Sequence, residues 1–369
     1  MTGVGTSWED TYDRVPTGRT REGVCEAMTY HLTAGRLNPS VAHTIPGHRT
    51  FSDRAVDVYT PHPDDVARAT RAYEQLAASL APPARVAAAA YWAALSSAHW
   101  ALEWNLARWL GAPLGLPAAL QGKLARCSGL VLAALRLLDD LADGELESSA
   151  VWLPFAEALL EGSLGTLRRS IPEDDPFWAN VQHELGAWRA EQRRGGFSTP
   201  SPAADAGRLA APGRPLLLAA GAVYRLAGAG LPTVGLTEAL QAYLAASVLL
   251  DHWKDWPRDL AGGRPNLFVS SLLGPVQPKS PALTKAHLWT AIAWRKPYQK
   301  YGERIEAELQ RAARLSRAEG FDKLAGYLAA LRSDVQQQVH AMRASARAGL
   351  GLIERHIFDP DGTPTEAPT

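Results

Sequence analysis

Long apolar runs rich in Ala and Leu, interrupted by single Arg or Glu residues, fill the chain from about Asp64 onward. The breaks between them fall at proline or glycine: Ala81-Pro82-Pro83, Gly111-Ala112-Pro113, Leu116-Pro117, Ile171-Pro172, Pro200 to Pro202, Pro212, Leu231-Pro232 and Gly262-Gly263. Proline ends or starts a helix because it lacks the N–H donor, and glycine because it tolerates the left-handed turn after one. Read this way, the breaks mark roughly eight to ten helices. No alternating apolar and polar run is long enough to make a sheet, and β-branched residues are sparse beside Ala and Leu, so the fold class is all-α.

Residues 1–63 carry scattered Pro, Gly, Thr and His without helical periodicity and are expected to form an arm of loops and short helices. Residues 64–356 are expected to be one helical domain, with Gln192 to Pro212 as a loose connection and 357–369 as a flexible tail.

Composition narrows the partners. With 38 basic and 38 acidic side chains the chain has no net field to gather nucleic acid or an anionic membrane. Its apolar runs stop short of the ~20 residues that span a bilayer, and Met1 to Thr20 has no apolar signal core. Two cysteines, Cys25 and Cys127, are too few for a disulfide framework or a zinc site, which agrees with a reducing cytoplasm.

Chemistry is concentrated at the ends of two apolar helices. The first runs from Cys127 into Asp139-Asp140-Leu-Ala-Asp143, where Asp139 and Asp143 share a face at i, i+4 with Asp140 beside them. The second runs from Tyr243 into Asp251-His252-Trp253-Lys254-Asp255, and Asp259 joins that face at i+8 if the helix persists past Pro257. Like charges four apart cost a helix ~0.2–0.5 kcal/mol, and acids at a C-terminus oppose the helix dipole. A divalent cation removes both penalties. One such string is ordinarily a solvated helix end, but two of them on apolar helices, with oxygen donors only, suit a hard ion such as Mg²⁺ that keeps part of its water.

These motifs resemble those of the class I isoprenoid synthases, specifically the trans polyprenyl diphosphate synthase family and its terpene synthase relatives, over about Leu116 to Leu273. Asp139-Asp140-x-x-Asp143 is similar to the family's first aspartate-rich motif, and Asp251-His252-x-x-Asp255 to its second, with His252 in place of an Asp. Asp259-Leu260-x-x-Gly263-Arg264 resembles the Asp-Leu-x-x-Gly-Lys segment that follows, and Gly213-Arg214-Pro215 resembles the helix start that carries a Lys-Thr pair. The basic motifs that hold isopentenyl diphosphate in chain-elongating synthases are not recognisable. Ser247-Val248 stands where a Phe-Gln pair is usual, and the Asn-Asp-x-x-Ser-x-x-x-Glu triad of bacterial cyclases is absent.

The resemblance implies a helical bundle around a central cavity, a homodimer, and an enzyme that ionises a C15 or C20 prenyl diphosphate. Asp139, Asp140, Asp143, Asp251 and Asp255 would be the catalytic acids. Up to three Mg²⁺ would be held by Asp139, Asp143, Asp251, Asp255 and Asp259, while Arg214, Arg225, Arg264, Lys254 and Arg258 would meet the diphosphate. Lys254 and Arg258 could equally pair with the aspartates beside them, and Arg214 could simply open a helix at Pro215. Cyclisation or rearrangement of the cation, as in a terpene synthase, is the leading expectation; condensation with isopentenyl diphosphate or another acceptor, and a non-catalytic partner subunit, are the alternatives.

Smaller expectations concern the aromatic residues and one alanine. Twelve tryptophans are present; Trp92, Trp100 and Trp104, read as one helical segment, are expected in the core, as are Trp253 and Trp256. Arg295, Lys296, Tyr298, Lys300 and Tyr301 offer groups that could close over a diphosphate, and Ala134 could leave room for a long chain.

Overall fold

The computed structural model describes residues 59–97, 100–142, 146, 149–193, 206–264, 266–273 and 297–358, and among them every regular element is helical. Helices α1 (Pro63–Ala77), α2 (Pro82–Ser97), α3 (Ala101–Gly111), α4 (Ala118–Ala142), α5 (Ser149–Arg168) and α6 (Pro176–Arg193) form the first half. A short α7 (Ala206–Leu209) and a 3₁₀ turn (Ala211–Gly213) lead into α8 (Leu216–Leu226), α9 (Val234–Gly262), α10 (Leu267–Leu273), α11 (Pro297–Ala318) and α12 (Asp322–Phe358). No helix among the described residues is long and apolar enough to cross a membrane. Most of the expected N-terminal arm, residues 1–58, and most of the tail, from 359, lie outside the described residues, as does 194–205 of the expected loose connection.

The punctuation of the sequence explains most boundaries. Pro63 sits in the first turn of α1 with Asp64 and Asp65, where a missing N–H costs nothing and acids suit the dipole. Thr233 caps α9 by accepting from the Leu236 N–H at 3.1 Å. At the other end Gly263 takes φ 66°, a left-handed cap in which its own N–H and that of Arg264 return to the carbonyls of Leu260 and Asp259.

Pro257 does not stop α9, so the condition for Asp259 to follow Asp251 and Asp255 on one helix is met. Asn266 steadies this end of α9 by donating from Nδ2 to the His252 carbonyl at 2.9 Å and to Asp259 Oδ2 at 2.7 Å.

Two cores flank α4. One is aromatic and lies against α1, α2 and α5: Tyr73 stacks on Trp92 and meets Phe155 edge-on, while Trp92 meets Trp104 at 5.9 Å. The other, larger core gathers residues of α3, α4, α6, α8, α9, α11 and α12. Helix α4 serves both because its apolar residues go almost all the way round: Leu130, Ala133, Ala134 and Leu137 belong to the first core, Leu124, Ala125 and Cys127 to the second. Gly129 lets Trp104 lie directly on the helix, since a Cβ there would stand 2.5 Å from the indole ring.

The tryptophan expectations divide. Trp92, Trp104, Trp253 and Trp256 are buried in the cores. Trp100 is not on the same helix as Trp92: α2 ends at Ser97, and Trp100 precedes α3 with φ −95° and ψ 38°. It is half-buried, packs against the aromatic core and also reaches the cavity described below.

Candidate active site

Between α3, α4, α8, α9 and α12 lies a cavity of about 440 Å³, inside the range of ~300–1,000 Å³ that holds small organic ligands. Its walls follow from helical period. On α4 the stripe Cys127, Val131, Leu135 and Asp139 faces inward, and on α9 the stripe Tyr243, Ser247 and Asp251 does so, each at steps of four. Both stripes are apolar or weakly polar until their last turn, where each reaches a carboxylate. Two helices remote in sequence therefore bring one acid apiece to a single rim.

A cation accompanies each acid. Arg136 binds Asp139 Oδ2 at 3.0 Å and Asp140 Oδ1 at 3.1 Å, and its guanidinium lies 5.8 Å from the centre of the Trp100 ring. Lys254 follows Asp251 by one turn and also lines the cavity. The Asp251 carboxyl is reachable by solvent, yet the surrounding helices hold its pKa up to about 6. Loss of hydration is the main cause and the neighbouring Asp255 the next, with Arg136 pulling the other way. Lys254 is lowered by the same dehydration, against the attraction of Asp251 and Asp255.

The other expected acids stand apart from the cavity wall. Asp140 turns toward α2 and accepts from the Tyr91 hydroxyl at 2.7 Å. Asp255 is taken by Arg258 at 2.8 Å on the helix surface. Asp259 is buried, held by Asn266 and lying 3.5 Å from Arg264. Asp143 lies outside the described residues.

The basic residues expected at the diphosphate also have other positions, Lys254 excepted. Arg214 makes a two-pronged pair with Glu184 at 2.6 and 2.9 Å, and Arg225 pairs with the buried Asp175. Neither lines the cavity, although Gly213 and Pro215 on either side of Arg214 do. Arg258 and Arg264 serve Asp255 and Asp259. Tyr298 and Tyr301 are buried in the larger core, Tyr301 edge-on to Phe268 at 5.2 Å, and Lys300 is exposed; Arg295 and Lys296 lie outside the described residues. Ala134 packs in the aromatic core, one position off the cavity stripe.

Three wall residues carry chemistry that the sequence motifs did not flag. Arg136 is one, and its signal was its place three residues before Asp139 on the inward face. Glu103 and Tyr243 are the others, joined by a hydrogen bond from the Tyr243 hydroxyl to Glu103 Oε1 at 3.2 Å. The signal for Glu103 was a solitary acid in the largely apolar Ala-Leu-Glu-Trp-Asn-Leu start of α3.

Among the described residues no three His, Cys, Asp or Glu side chains converge on one point as a ready-made metal cage. Asp139 and Asp251 instead each present a carboxylate to the same cavity. That donor set fits a magnesium ion, which is typically held by one or two carboxylates and takes its remaining ligands from water and substrate phosphate.

No protein-family profile, curated protein or solved structure matches this chain.

Proposed function

We propose that this protein is a Mg²⁺-dependent enzyme that ionises a C15 or C20 prenyl diphosphate and cyclises or rearranges the resulting cation, as a class I terpene synthase does. The observation that carries this reading is that Asp139 and Asp251, from two different helices, line one mainly apolar cavity. Such a cavity suits a hydrocarbon tail, and a charged rim suits the head group that must leave. The resemblance of the two aspartate-rich motifs points the same way.

In this reading Asp139 and Asp251 would hold magnesium. The metal, when bound, would neutralise charge developing on the leaving diphosphate. Arg136 and Lys254, already at the rim, would offer charge-assisted hydrogen bonds to phosphate oxygens. Below them Val131, Leu135 and Leu244 exclude water, and Trp100 presents an aromatic surface, which stabilises a cation by ~0.5–2 kcal/mol when desolvated. Among the described residues no cationic side chains beyond Arg136 and Lys254 line the cavity. This supports a single anionic substrate over condensation with isopentenyl diphosphate, whose own head group would need a second basic site.

The test is incubation of the purified protein with C10, C15 and C20 prenyl diphosphates and Mg²⁺, with and without isopentenyl diphosphate, followed by mass analysis of extracted products. Hydrocarbons or alcohols formed without isopentenyl diphosphate are expected. Longer diphosphates formed only in its presence would replace this reading with a prenyltransferase. No turnover of any substrate would favour a non-catalytic partner subunit.

A further inference from the structure

The cavity contains an acid that ionisation does not use. Glu103 stands in the first turn of α3 and lines the cavity wall with Tyr243 of α9 and Tyr327 of α12. Its Oε1 accepts from Tyr243, whereas Oε2 is closed off from bulk solvent and has no hydrogen-bond partner. A buried carboxyl oxygen without a partner is costly, and a catalytic role is one reason for a fold to bear that cost.

Position gives that carboxyl group a task. Tyr243 precedes Asp251 by two turns of α9, or ~12 Å along the axis. The Glu103–Tyr243 pair therefore lies along the cavity wall, well away from the rim carboxylate of the same helix. The charged and titratable groups of the wall are Tyr243 and Tyr327 near Glu103, Cys127 on α4, and Arg136, Asp139, Asp251 and Lys254 at the rim. Tyr243 lowers the proton affinity of Glu103 by its hydrogen bond, but burial outweighs it and lifts the acid to about 7. A carboxyl near neutrality can take up a proton and give it back at ordinary pH.

Resting on the ionisation reading above, we infer that Glu103 is the base that ends the reaction. Its carboxylate removes a proton from the carbon adjacent to the cationic centre, the electrons of the broken C–H bond become a C=C double bond, and the cation is discharged. Glu103 is left protonated and returns the proton to water as the product leaves. The organic product is an olefin, and the overall change is prenyl diphosphate to hydrocarbon, diphosphate and one proton. Tyr243 is a positioning residue: its hydroxyl holds Oε1 and so fixes the carboxyl group at the cavity wall.

The experiment follows diphosphate release and organic products separately, for wild type, Glu103→Gln, Glu103→Asp and Tyr243→Phe, with Mg²⁺ and C15 or C20 prenyl diphosphate. In Glu103→Gln, diphosphate release should stay within threefold of wild type while the main hydrocarbon falls at least tenfold, replaced by alcohols or other olefins. Glu103→Asp should restore part of that hydrocarbon. Tyr243→Phe removes a hydrogen bond that favours the carboxylate, so the acidic limb of hydrocarbon yield against pH should move upward. An unchanged product spectrum in a folded, active Glu103→Gln protein overturns the assignment but leaves the ionisation reading standing. Should Glu103→Gln fail to fold by circular dichroism, an unmoved acidic limb in Tyr243→Phe overturns it instead. If wild type releases no diphosphate from any of these substrates, both readings fall together.

Discussion

Tyr91 donates its hydroxyl hydrogen to Asp140 at 2.7 Å, tying α2 to α4 just behind the cavity rim. The adjacent aspartates of the first motif thereby separate in role, Asp139 at the cavity and Asp140 in a bridge to a neighbouring helix. Asp139→Asn is expected to abolish Mg²⁺-dependent diphosphate release with little change in melting temperature. Asp140→Asn should keep measurable release but lose about 1–3 kcal/mol of stability, the usual scale for a hydrogen bond to a charged group. Parallel activity assays and denaturant titrations would tell the two apart, and equal loss of activity without loss of stability would reverse the assignment of Asp140.

A metal that joins Asp139 to Asp251 should stabilise the fold by mass action. Adding Mg²⁺ together with inorganic diphosphate is expected to raise the melting temperature by roughly 2–5 °C. In Asp139→Asn/Asp251→Asn the rise should vanish. Differential scanning fluorimetry with and without EDTA reads this directly, and an undiminished rise in the double variant would move the metal site elsewhere.

Glu103 makes stability fall with rising pH. Its proton affinity is raised from 4.5 to about 7 on folding, so the folded chain holds a proton that the unfolded chain has lost across that interval. The stabilising contribution is complete below about 4.5 and is given up as pH rises through about 7. Relative to wild type, Glu103→Gln should gain on the order of 3 kcal/mol between pH 4.5 and 8. Urea unfolding at several pH values measures the slope. A flat difference would show that Glu103 is ionised in the folded chain at the same pH as in a peptide.

Gly129 is where Trp104 lies against α4, and a methyl group there would collide with the ring at 2.5 Å. Gly129→Ala should therefore destabilise by about 1–3 kcal/mol despite alanine's better helix propensity. Trp104 fluorescence would shift as the ring is displaced. A more stable Gly129→Ala protein would mean the aromatic core repacks freely.

Much of the fold was readable because proline and glycine punctuate an Ala- and Leu-rich chain, and helix ends obey those residues strongly. Spacing also brought out the two acidic helix ends. Spacing could not say how far the cavity extends along each helix: Asp139 and Asp251 reach it, while Asp255 and Asp259, on the same helical face as Asp251, find partners of their own. Arg214 and Arg225 looked available in sequence because Glu184 and Asp175, their partners, come from distant positions. Arg136 and Glu103 escaped notice for the opposite reason. A single charge in an apolar helix forms no pattern until the facing helix is known.

Helix α4 separates the cavity from the aromatic core, turning largely different side chains to each, with Val131 touching both. The mould that would shape a product and the backing that keeps it rigid are thus written at different positions of the same helix. Leu132 and Leu135 can be recut in size while Leu130, Ala133 and Leu137 go on holding the wall in place. A chain built this way can change the shape of its cavity by small steps without first loosening its own frame.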